Sequence, residues 1–124
     1  MRFLSKIFGK KDSKQLDDLE HKYQLVLEFP YEDSERDFDR LLELEDALTG
    51  SLDDSVLVDG HDYGSGFMNI FIHTNDPRKT FQEALQVLIN ANMISNLNSG
   101  YRDFDQDDYI MLWPGDSSEP FELR

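Results

Sequence analysis

Between Ser55 and Pro77 the chain reads SVLVDGHDYGSGFMNIFIHTNDP, and this stretch restricts the fold more than any other. Two apolar-rich runs, Ser55 to Tyr63 and Phe67 to His73, are separated by Gly64-Ser65-Gly66. Only residues that tolerate positive φ turn an antiparallel pair so tightly, so the two runs are expected to form a hairpin. Asp76 then supplies an N-cap and Pro77 a first helical residue, where the missing N–H costs nothing. Phe81, Ala84, Leu85, Leu88 and Ile89 follow at helical spacing. A hairpin delivered straight into one amphipathic helix cannot bury its apolar face alone, so further elements have to come from the rest of the chain.

The first half supplies a strand and a helix. Residues 23 to 29, YQLVLEF, alternate Tyr23, Leu25, Leu27 and Phe29 with Gln24, Val26 and Glu28, and Pro30 ends the run. Ser34 is an N-cap, and Glu35, Asp37 and Asp39 load the first turns with the charge the helix dipole favours. Phe38, Leu41, Leu42, Ala47 and Leu48 mark the apolar stripe, closed by Thr49-Gly50-Ser51. After the polar stretch SNLNSG the chain reads YRDFDQDDYIMLW, with Tyr109 to Trp113 as the last strand.

The order strand, helix, strand, strand, helix, strand predicts an α+β domain of ferredoxin-like type, β-α-β-β-α-β. Its antiparallel sheet has four strands, with the first and third central, and both helices on one face. Residues 101–105 are the candidate for an additional edge strand. The domain spans 23–115, preceded by a basic amphipathic segment and polar connector over 1–22 and followed by a tail over 116–124.

Charge then restricts the partners. The formal net charge is −14, yet Arg2, Lys6, Lys10, Lys11 and Lys14 stand against Asp12 alone near the start, a local +4 that leaves −18 for the remainder. A body so acidic repels nucleic-acid phosphates and anionic membranes, so no nucleic acid is expected and a basic protein is the favoured partner. Phe3, Leu4, Ile7 and Phe8 give residues 1–11 an apolar side, too short to span a bilayer and with no cleavage site after it. Folding back onto the acidic body is preferred there to resting on a membrane surface, and a cytoplasmic protein is expected. Cysteine is absent, which excludes disulfides, thiolate metal sites and thiol nucleophiles.

Helices on one face leave the other uncovered. A turn centred on Ser65 puts Leu57, Asp59, His61, Asn69, Phe71 and His73 on the uncovered face and Val56, Val58, Met68, Ile70 and Ile72 on the core face. Gln24, Val26, Glu28, Tyr109, Met111 and Trp113 join the uncovered set. Such a face suits a second copy of the chain or another protein, unless the amphipathic start and Phe121 cover it. Asp59, His61, Phe71 and His73 could line a ligand or catalytic pocket there. The same register sets His61 opposite Asn69 and His73 opposite Leu57, too far apart to share a metal ion.

Two further motifs fail on spacing. Asp103, Asp105 and Asp107 follow calcium-loop spacing, but Asp108 stands where the loop needs glycine and Pro114 where it needs a bidentate glutamate. Ser65 lies in G-S-G without the strand-to-helix elbow of a hydrolase nucleophile. No catalytic residue, metal site or cofactor is assigned. What remains is clustered carboxylate: Glu32 to Asp39, Asp53 to Asp62, and Asp103, Asp105, Asp107 and Asp108 beside Tyr109 and Trp113. Like charges so crowded destabilise the free protein and are relieved by a cationic surface.

HDYGSGFMNIFIHTNDP, a helix of the form FQEALQVL, and YRDFDQDDYIMLWP together resemble small acidic bacterial proteins that are similar to immunity proteins of polymorphic toxins. The resemblance covers roughly 23–115 and implies a non-catalytic inhibitor that meets a basic toxin with acidic and aromatic side chains. The partner-binding residues expected here are Asp103, Asp105, Asp107, Asp108, Tyr109 and Trp113. A homodimeric interaction module is a further expectation.

Overall fold

The computed structural model describes residues 21–32 and 34–114 together with Phe121 and Leu123. The basic amphipathic start and most of the tail lie outside the described residues. The described chain runs β1 (Tyr23–Pro30), α1 (Glu35–Ser51), β2 (Leu57–Gly64), β3 (Phe67–Thr74), α2 (Pro77–Asn90), β4 (Asn98–Asp103) and β5 (Ile110–Trp113). It is an α+β arrangement with two helices and one antiparallel sheet in the order β2-β3-β1-β4-β5. None of the helices is long and apolar enough to cross a membrane, among the described residues.

Five strands replace the expected four. β1 and β3 hold the interior as the crossovers require, but the strand beside β1 is Asn98–Asp103, and Ile110–Trp113 lies beyond it at the edge. The extra strand begins in the polar stretch that reads as a turn in sequence and overlaps the 101–105 candidate at 101–103, but it lies inside the sheet between β1 and β5 and not at an edge. Asn98, Ser99 and Gly100 have little strand propensity of their own. They are extended because β1 offers a full ladder, from Tyr23 opposite Asp103 to Glu28 opposite Asn98.

The caps form as the sequence requires. Ser34 Oγ accepts a hydrogen bond from Asp37 N at 3.0 Å, and Asp76 Oδ1 accepts one from Lys79 N at 3.2 Å. Thr74 and Thr80 share a buried hydroxyl hydrogen bond of 2.7 Å that ties the end of β3 to the first turn of α2. Leu25, Leu27 and Phe29 of β1, Met68, Ile70 and Ile72 of β3, and Val58 of β2 meet Leu41, Leu44 and Leu48 of α1 and Phe81, Ala84 and Leu88 of α2. The stripe of α1 is thus rotated from the expected one. Leu44 and Glu45 are buried, whereas Leu42 and Ala47 are exposed, and Ile89 of α2 is also 46 % exposed.

The hairpin sets the faces of β2, and one detail of its turn changes them. Gly64 pairs with Phe67, so the loop has two residues, Ser65 at φ 55° and Gly66 at φ 86°. Two consecutive positive φ values match the twist of the flanking strands. This shifts the ladder by one residue from a turn centred on Ser65. His61 therefore pairs with Ile70 and Tyr63 with Met68, on the helix side, while Asp62 pairs with Asn69. A bulge between Val58 and Gly60 then absorbs the shift, with Asp59 as the surplus residue. Beyond it Val58 pairs with Ile72 and Leu57 with His73, as the alternation predicts.

Candidate functional site

The carboxylates of the β4–β5 connection are gathered on one short turn. Asp103 ends β4; its Oδ1 accepts from Asp105 N at 2.8 Å and its carbonyl from Gln106 N at 2.9 Å. The chain between Asp103 and Asp108 is thereby curled on itself, with Phe104, Asp105, Asp107 and Asp108 exposed. Arg102 fastens it from below. Its Nε donates to Gln24 Oε1 at 3.2 Å, and its Nη1 donates to Gln106 O at 3.1 Å and Phe104 O at 3.4 Å. The same guanidinium lies 5.3 Å from the Phe104 ring centre and 5.8 Å from that of Tyr109. One cation thus binds two carbonyls of the turn that carries the four carboxylates.

Tyr109 and Trp113, expected as joint aromatic anchors, face opposite sides of the sheet. Tyr109 donates its hydroxyl to Gln24 Oε1 at 2.8 Å on the helix-free side, and its ring is 5.4 Å from that of Phe121. Trp113 packs on the helix side against Phe81, with ring centres 6.0 Å apart. The bulge in β5 between its pairings to Ser99 and Gly100 separates them. The apolar side chains that do flank the acids are Phe104 and Ile110, 37 % and 51 % exposed. The signal for Phe104 in the sequence was an apolar residue set directly between two carboxylates, whereas Ile110 is hidden within the run read as a strand.

The helix-free face is less open than one-sided coverage implies. Val26 and Glu28 are fully buried and Asn69 is 2 % exposed. Phe121 sits over Gly100, where an added Cβ would stand 2.6 Å from its Cγ, and its backbone bridges Tyr109. The expected cover by Phe121 is therefore present, and Trp113 and His61 drop out of this face.

The second candidate set is split. His73 and Asp59 approach to 3.8 Å on the helix-free side, and the His73 ring meets Phe104 edge-on at 5.0 Å. Phe71, opposite Val26, shares that face. His61 lies on the other side, its Nδ1 2.9 Å from Oε1 of the buried Glu45 on α1. There it joins an aromatic group around Tyr63, which is 48 % exposed, with Tyr31 and Phe38 rings 5.1 and 5.5 Å from it. The two histidines thus belong to different sites. Among the described residues no group of three or more His, Cys, Asp or Glu is placed to hold a metal ion. Of the remaining acids, Asp53 is held below the ordinary carboxylate range, first by the Ser55 backbone N–H at 2.8 Å and then by the Ser55 hydroxyl. It is a turn-forming group.

Comparison with protein-family models, with curated proteins and with solved structures finds no match to this chain.

Proposed function

We propose that this chain is a non-catalytic protein-binding domain that captures a basic partner through the β4–β5 turn, in the manner of an immunity-type or regulatory inhibitor. The observation that carries the reading is one turn, braced by Arg102, that presents Asp105, Asp107 and Asp108 between the exposed apolar side chains of Phe104 and Ile110. Carboxylates steer a cationic surface into place and speed association, while the two apolar groups supply area that excludes water on contact. Bracing matters because a turn already ordered loses little conformational freedom on binding.

The test is affinity capture from native lysate at rising salt, with wild type and Asp105→Lys/Asp107→Lys/Asp108→Lys in parallel. A basic protein retained by wild type, released as salt rises, and bound at least about a hundredfold more weakly by the triple variant is expected. That corresponds to about 1 kcal/mol or slightly less per reversed charge. The same proteins retained equally by both forms would defeat the reading.

A further inference from the structure

A notch of about 490 Å³ opens between the first turns of α2 and the outer edge of the sheet, lined among the described residues by Arg78, Lys79, Phe81, Gln82, Leu112 and Trp113. Its chemistry runs against the molecule as a whole. The chain carries −14, yet the described lining holds two cations and no carboxylate. Phe81 and Leu112 are buried and form the floor, and Trp113 is half-buried with its ring tilted 40° to that of Phe81.

The sequence of α2 explains the wall. Arg78, Phe81 and Gln82 recur at three and four residues, so they share one side of the helix. Arg78 is exposed at the rim, its guanidinium 5.8 Å from the centre of the Tyr101 ring. That contact orients a planar cation able to bind an oxyanion through two N–H groups. Lys79 is turned partly away, 3.9 Å from Asp53, and so contributes less. A bare inorganic anion makes no use of three apolar walls. A neutral ring makes no use of the cations.

We infer that the notch is a binding site for a small aromatic anion, an aryl group bearing phosphate or carboxylate, whose ring packs on Trp113 and whose charge pairs with Arg78. This is independent of capture by the β4–β5 turn, because the ligand has the opposite charge and Trp113 lies on the opposite side of the sheet from Tyr109. Flat stacking on an indole with a charge-assisted hydrogen bond at the rim is a sufficient basis for recognition.

Trp113 is the single tryptophan, so its emission reports on this notch alone. Phenyl phosphate is titrated into the full chain, with inorganic phosphate and benzyl alcohol as parallel probes. A saturable change is expected with phenyl phosphate and with neither control at equal concentration. Arg78→Gln is expected to raise the Kd for phenyl phosphate about tenfold or more. No saturation with phenyl phosphate, an equal response to benzyl alcohol, or an unchanged Kd in Arg78→Gln would each overturn the assignment.

Discussion

Replacing Gly100 with valine is expected to drive Phe121 off the sheet and to cost about 2–3 kcal/mol, the value of burying one phenylalanine side chain. The cause is geometric. A Cβ at this position would stand 2.6 Å from Phe121 Cγ and 2.8 Å from its Cβ and Cδ2. Those atoms lie at the root of the side chain, so rotating the end of the ring does not relieve them. Phe121 is 4 % exposed and its backbone bridges Tyr109, so its side chain covers this part of the helix-free face. Phe121→Ala should cost a similar amount, and the double variant little more than either alone. The coupling expected from the cycle is thus on the order of 2 kcal/mol, read from urea unfolding of all four forms. Additive losses would mean that Gly100 and Phe121 do not act on one another.

Leu27→Ala is the larger effect, about 2–5 kcal/mol, because the deleted methyl groups leave a cavity that close-packed neighbours fill only in part. Leu27 is fully buried on the central strand, directly between Ile70 of β3 and Ser99 of β4. Against a typical domain stability of roughly 5–15 kcal/mol this removes a large share, and the unfolding midpoint should fall accordingly. Leu42→Ala is the control: the residue is 38 % exposed on α1, and its loss should stay within about 1 kcal/mol. If Leu42→Ala matched Leu27→Ala, the rotation of α1 described above would be wrong.

How much of this was legible in the sequence depends on how local each signal is. Ser34, Asp76 and Pro77 mark helix starts through bonds made within three residues, and these were readable. The strands of residues 23 to 29 and 67 to 73 were readable from their alternating apolar residues, although Val26, Glu28 and Asn69 on the other face are buried as well. Of β4 only 101–103 fell within the candidate strand over 101–105; its first half did not, since Asn98, Ser99 and Gly100 are extended through pairing with β1, and Gly100 is small because Phe121 needs the space. Neither cause lies near it in sequence.

The face of Trp113 was lost to the bulge in β5, and that of His61 for a different reason. Gly64-Ser65-Gly66 permits a two-residue or a three-residue turn, and each choice sends alternate side chains to opposite sides. The bulge at Asp59 then conceals the choice, because Leu57 and His73 face each other under either turn once the surplus residue is absorbed. In the candidate site the acids were evident from composition. Arg102 was not, since its partners Gln24, Phe104 and Gln106 meet only across β1, β4 and the turn.

The proposed binding surface is tested most directly by amide hydrogen exchange of the chain alone and bound to any basic protein that the affinity capture identifies. The account predicts slowed exchange concentrated between Phe104 and Ile110 on binding. Unchanged exchange there, with protection appearing instead around the β2–β3 hairpin or along the helices, would contradict it and move the partner surface to another part of the molecule.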